Sequence, residues 1–230
     1  MAENTLSILK PSVNNMTVRI FVRAAGLDFE EQDVWGKKST PEFLEKYPVD
    51  LTPLLEREGL PRGALGESCA IMQYFCNKHG LDQFYPRDPA ERAMVDSAMF
   101  YLTGTFYPLL TRATYPTLGF AQYPGEVGTS EADDEMKAKA EKDAEEALAA
   151  PLEAFRAHFL EGRPFVGGDQ PSIADIRWAA SLEFLRAIDY DFPAWTEEYM
   201  ARVEEALGDA YSEPAADVRG YVESVKAPAM

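Results

Sequence analysis

The chain has 230 residues, of which 46% are hydrophobic, 12% aromatic and 27% charged, enough apolar material for a sizeable core and too much for a disordered segment. Lys and Arg total 22 against 39 Asp and Glu, a formal charge of −17, which repels a phosphate backbone and excludes nucleic acid as a partner. The charge is uneven: residues 1–85 hold 9 basic and 12 acidic side chains, the remainder 13 and 27, which points to two units.

The N-terminus Met1-Ala2-Glu3-Asn4 lacks a basic stretch followed by an apolar one. No run approaches the roughly 18 apolar residues of a membrane helix. A cytoplasmic protein with no membrane partner is the default. Leu6–Leu9 reads as a strand, Asn14–Ala24 as a mostly buried helix stopped by Gly26, and Phe29–Val34 as a second strand. Thr40-Pro41-Glu42 opens a short helix to Lys46. Leu54–Glu56 and Ala64–Leu65 follow as short strands, and Ser68 caps a helix with Ala70, Ile71, Tyr74 and Phe75 on one face. Cys69 and Cys76 lie on that helix in neither a CxxC pair nor a zinc pattern, so no metal is expected and both read as small core residues.

Strand signals stop at Pro86-Arg87-Asp88-Pro89. Ala90–Ala113 then reads as one long helix, 121–134 as a loop, and Glu135–Leu160 as a second long, mostly solvated helix. Ser172-Ile173-Ala174-Asp175 has the form of a capping box before a buried helix, and Pro193–Leu207 and Ala215–Val222 fit two more. The predicted class is α/β plus all-α. A βαβαββα unit spans residues 1–82, a linker 83–89, and a helical bundle 90–230.

In this setting three motifs resemble those of the cytosolic glutathione S-transferases. Gly66-Glu67-Ser68-Cys69-Ala70-Ile71-Met72-Gln73-Tyr74-Phe75 is similar to that family's Glu-Ser-x-Ala-Ile-x-x-Tyr-Leu. Leu51-Thr52-Pro53-Leu54 stands in place of its Val-Pro, where a cis-proline sets a backbone edge beside the thiol tripeptide. Pro164–Asp175 resembles its approach to the core helix. The resemblance implies a thioredoxin-like N-terminal domain, glutathione as co-substrate and a homodimer. It further implies conjugation of the tripeptide to a small hydrophobic electrophile such as an epoxide or halide. Two alternatives accompany it: a glutathione-dependent ether lyase or dehalogenase, and a relative that binds without turnover.

Each part of glutathione demands a partner. The ammonium suits the Glu67 carboxylate, and the adjacent carboxylate suits the Ser68 hydroxyl with free N–H groups at a helix start. Thr52, before Pro53, offers its backbone to the cysteinyl unit. Lys37 and Lys38 are the nearest cations for the glycyl carboxylate, and Asp96 is a candidate to reach a neighbouring subunit's ammonium.

The thiol belongs at the first strand-to-helix turn, Lys10–Arg19, which contains neither Cys nor Tyr. Ser12 and Asn14 form a Ser-x-Asn pattern resembling bacterial nu-class enzymes, and Asn14-Asn15 stands where ether-cleaving relatives carry Asn-Ser. Ser12, Asn14 and Asn15 are therefore the candidates for holding the thiolate. Lowering a thiol by two pKa units needs about 2.7 kcal/mol. A charge-assisted hydrogen bond of roughly 1.5–3 kcal/mol plus a helix N-terminus of roughly 0.3–1 kcal/mol suffices. Tyr101, Phe106, Tyr107 and Tyr115 cluster on the first long helix of the second unit as candidates for the electrophile pocket. An aromatic stripe is usually core, so about half of them are expected to line it.

Overall fold

The computed structural model describes residues 4–120 and 133–227. Strands β1 (Asn4–Ile8), β2 (Glu30–Asp33), β3 (Leu54–Arg57) and β4 (Ala64–Leu65) form one sheet in the order β2-β1-β3-β4. β1 runs parallel to β2 and antiparallel to β3, and β3 antiparallel to β4. β2 carries only Glu, Gln and Asp, and a charged outer strand discourages pairing with another chain. It is shorter than Phe29–Val34.

Helix α1 (Val13–Ala24) follows β1, α2 (Pro41–Lys46) follows β2, and α3 (Ser68–His79) follows β4. α1 buries Val13, Met16, Val18, Ile20, Phe21 and Val22 because it has neighbours on several sides: α3, and the later helices α8 (Ile173–Leu182) and α10 (Asp209–Lys226). The start of α3 differs from expectation. Glu67, not Ser68, holds the cap position, at φ 66°, and its side chain makes no capping bond.

The helical run predicted for residues 90–113 extends from Pro89 to Leu118 but is divided. α4 (Pro89–Tyr101) passes through a π turn at Leu102–Phe106 into α5 (Tyr107–Leu118). Pro108 has no N–H for the Gly104 carbonyl, so the ladder is rearranged there, and the Tyr107 N–H bonds to the Leu102 carbonyl instead. The run predicted for 135–160 is divided too. α6 (Asp134–Ala147) is solvated, as expected of its charges, but α7 (Ala149–Ala154) and a π segment at Phe155–Leu160 bury Leu152, Phe155, Phe159 and Leu160. Pro151 cannot donate to the Ala147 carbonyl, which ends α6. Residues 121–132 of the predicted loop lie outside the described residues, while Asp133 caps α6.

α8 is buried at every position and continues as a 3₁₀ turn (Glu183–Ile188) before α9 (Ala194–Leu207) and α10, which starts at Asp209, six residues before Ala215. The predicted capping box is present. Its Asp175 carboxylate, fully buried, accepts bonds from the Val166, Gly167 and Ser172 N–H groups, the Ser172 hydroxyl and the Tyr199 hydroxyl. Gly167 is required, because a Cβ there would lie 2.4 Å from the Gln170 carbonyl. Trp178 stacks on Phe155 at 4.0 Å, meets Phe106 at 4.9 Å and donates to the Ala98 carbonyl, binding α4, α8 and the second π segment into one core. Arg19 of α1 reaches Glu31 of β2 and Asp217 of α10, each at 2.9 Å, so a charge network ties the sheet unit to the last helix.

Candidate functional site

The strand register collects the motifs. Ile8 pairs with Asp33, Ser7 with Leu54, and Leu55 with Leu65. The C-terminal ends of β1, β2 and β4 and the start of β3 therefore lie at one end of the sheet. The turn with Ser12, Lys37 and Lys38, the Thr52–Pro53 segment and Glu67–Ser68 all leave from that end.

Ser12 caps α1 through its backbone alone. Its hydroxyl makes no capping bond and is unspent among the described residues. Asn14 gives one Nδ2 hydrogen to the Tyr107 hydroxyl at 2.8 Å, and its Oδ1 accepts from Arg177 Nη2 at 2.5 Å. Asn15 is fully buried and donates to Thr52 Oγ1 at 3.1 Å. That bond ties the start of α1 to the Thr52–Pro53 segment, whose peptide is cis.

At the start of α3, Gly66 carries the Tyr47 hydroxyl so closely that a Cβ would lie 1.7 Å from it. Burial, and then the Glu67 charge, push the Tyr47 phenol above its ordinary value. Glu67 is exposed and its left-handed backbone conformation costs roughly 1–3 kcal/mol. With no side-chain cap from Glu67, the first N–H groups of α3 are available to an anion among the described residues. Ser68 is buried beside Cys69.

Residues 6–83 match the N-terminal domain and residues 138–205 the C-terminal domain of glutathione S-transferase, together more than half of the chain. The chain belongs to the glutathione S-transferase family. Among solved structures it is similar to a delta-class glutathione transferase of Nilaparvata lugens, at 28% identity and a TM-score of 0.73 over 97% of this chain and 100% of that one. A Bombyx mori glutathione transferase, solved in a complex, is 27% identical with a TM-score of 0.75 over 96% and 97%. Human glutathione transferase theta-2, solved with glutathione and an unknown ligand, shares the fold at 24% identity and a TM-score of 0.75 over 96% and 90%. Among the described residues no helix is long and apolar enough to cross a membrane.

The remaining candidates of this glutathione S-transferase fold divide. Lys38 is 3.7 Å from Asp50, whose carboxylate also takes the Ser39 N–H and hydroxyl. Lys37 is exposed and forms no ion pair with a described residue. Asp96 accepts from Gln73 at 2.6 Å and from Tyr85 at 2.9 and 3.0 Å, and burial followed by Asp96 pushes the Tyr85 phenol up to about 12. Tyr101 and Phe106 pack on Trp178 in the core. Tyr107 and Tyr115 meet instead at their hydroxyls, 3.1 Å apart, beside Asn14.

The sequence reading missed the residues that extend this wall. Tyr115 meets Phe120 edge-on at 5.4 Å, Phe120 stacks on Tyr221 of α10 at 5.5 Å, and Tyr221 meets the exposed Trp35 at 6.1 Å. These residues are distant in sequence and carry no shared pattern. Arg177 was also missed, although one charged residue within the apolar run Ile176–Leu182 was a visible signal. Burying a guanidinium without a carboxylate costs several kcal/mol, and Arg177 is 2% exposed, donates to Asn14 and Ser181, and has the Cys69 thiol within hydrogen-bonding range and the Tyr107 ring 4.8 Å away.

Proposed function

We propose that this chain binds glutathione across the end of its sheet and transfers the sulfur to a small apolar electrophile held against the Tyr107–Tyr115 wall. The observation that supports the reading most is Asn14: it stands at the start of α1, within the glutathione end, and is hydrogen-bonded to Tyr107 of the helical part. A sulfur at that turn and an electrophile against those aromatics are therefore neighbours. In this reading 1–82 is the glutathione-binding domain and 90–230 supplies the electrophile wall, in a cytoplasmic two-fold dimer.

Glu67 takes the ammonium, and Ser68 with the open N–H groups of α3 takes the adjacent carboxylate. Thr52 presents its backbone to the cysteinyl unit, with Asn15 fixing that segment through Thr52 Oγ1. Lys37 is the available cation for the glycyl carboxylate. The unspent Ser12 hydroxyl and the second Asn14 amide hydrogen donate to the sulfur, which loses its proton to water and attacks as the thiolate. If Tyr115 donates to Tyr107, the Tyr107 proton is released to donate to the electrophile's developing charge. The bound sulfur forms one new bond to carbon, and the leaving group or ring oxygen departs with the electron pair.

Calorimetry with glutathione tests binding. Glu67→Gln is expected to weaken it by about 1.5–3 kcal/mol, and unchanged affinity in the folded variant removes Glu67 from the site. Turnover on a panel of halides, epoxides and aryl ethers then tests the chemistry; tight binding with no turnover on any of them overturns the enzymatic part.

A further inference from the structure

Arg177 brings a full positive charge into the interior and forms no ion pair with a described residue. Its Nη1 donates to the Ser181 hydroxyl on its own helix and its Nη2 to the Asn14 amide oxygen on α1, while Nε has no partner among the described residues. Its guanidinium also lies over the Tyr107 ring of α5. No Asp or Glu of the described residues pairs with it, whereas Arg19 and Arg219 each hold two carboxylates.

The titratable groups facing it are few. From α3 comes the Cys69 thiol, which burial pushes up despite the guanidinium at hydrogen-bonding range, so it remains a neutral thiol. From α5 comes the Tyr107 phenol, and from α1 only the Asn14 amide. An amide whose oxygen accepts from a guanidinium is polarised, and its N–H groups become stronger donors. One of these serves Tyr107. The other is unpartnered among the described residues, at the helix start where an anion is favoured.

Resting on the reading that glutathione's sulfur arrives at the start of α1, we propose that Arg177 is the positioning residue of the thiol. It holds the Asn14 amide in its donating orientation and supplies the charge that keeps the bound sulfur ionised. No bond to the protein forms, and the S–H proton leaves to solvent. The missing counter-ion of Arg177 is then the thiolate itself, present only in the complex.

The test titrates the ultraviolet thiolate absorbance of bound glutathione in wild type, Arg177→Met and Arg177→Lys. Calorimetry with glutathione and with S-methylglutathione, which has no ionisable thiol, runs alongside. Arg177→Met is expected to raise the bound thiol by about one pKa unit. The acid limb of the kcat/KM profile should move by the same amount, and Arg177→Lys should recover at least half of it. S-methylglutathione affinity should stay within about twofold, because the charge acts on the sulfur only. A thiol that titrates as in wild type in folded Arg177→Met overturns the proposal, as does a parallel loss of S-methylglutathione. If Arg177→Met does not fold, Arg177→Gln keeps hydrogen-bonding capacity without charge and gives the same reading. Failure of wild type to bind either tripeptide overturns the glutathione reading itself, which separates the two.

Discussion

Arg19 and Arg177 are both guanidinium groups buried against α1, 4% and 2% exposed, and their surroundings are opposite. Arg19 bonds to Glu31 of β2 and Asp217 of α10, and Arg23 adds a second cation to Glu31. Arg177 touches an amide, a hydroxyl, a thiol and a ring. The first arrangement meets the desolvation of its charge inside the folded chain and so belongs to stability. The second leaves it unmet, which a protein optimised only for stability would remove by an apolar replacement.

The comparison breaks most directly in denaturant. Arg19→Met leaves Glu31 and Asp217 without their buried partner and should cost about 3 kcal/mol by urea unfolding. Arg177→Met, which removes an uncompensated charge from an apolar helix, should change stability by no more than about 1 kcal/mol or raise it. Equal losses would make both residues structural.

A smaller effect sharpens the contrast on the Arg177 side. Ser181→Ala removes one acceptor from the guanidinium and should lower stability by about 1 kcal/mol. The charge stays in place, so the bound thiol should titrate as in wild type. A thiol shift in this variant as large as that of Arg177→Met would assign the effect to geometry instead of charge.

The smallest concerns acid. Burial tends to raise the Glu31 carboxyl, but the hydrogen bonds and charges of Arg19 and Arg23 outweigh it and hold the group below its ordinary value. A carboxyl lowered on folding contributes stability above its unfolded pKa, near 4.3 for Glu, and loses it as pH falls through the folded value. Glu31→Gln should therefore flatten the fall in stability below about pH 4.3, whereas Arg177→Met should leave that slope as it is.

Much of the fold was legible because its signals are local. The strand-and-helix alternation of the first eighty residues, the stop at Pro86–Pro89 and the Ser172–Asp175 box each rest on a few adjacent residues, and the structure has elements at those places. Breaks inside long helices were harder: Pro108 and Pro151 act on carbonyls four residues earlier, within runs otherwise rich in helix formers. For the site, motif residues at strand ends were readable, since the sheet register brings them to one end. Partners across the molecule were not. Asn14 with Arg177 spans 163 positions and Phe120 with Tyr221 joins α10 to the end of α5, and neither pairing leaves a trace in local periodicity.

The π turn at Leu102–Phe106 sets a rotational phase. It amounts to one additional residue carried by an otherwise regular helix, and each α-helical residue advances the chain by about 100°. Tyr107 and Tyr115 face Asn14 because the π turn absorbs that residue before them. Wound as an unbroken α-helix, the same residues would carry α5 about 100° further round against α4. Both hydroxyls would leave Asn14 while Ser12, Thr52 and Glu67 stayed where they are. The direction in which the aromatic wall looks is thus written in how the backbone between Tyr101 and Tyr107 is wound and not in the aromatic residues themselves.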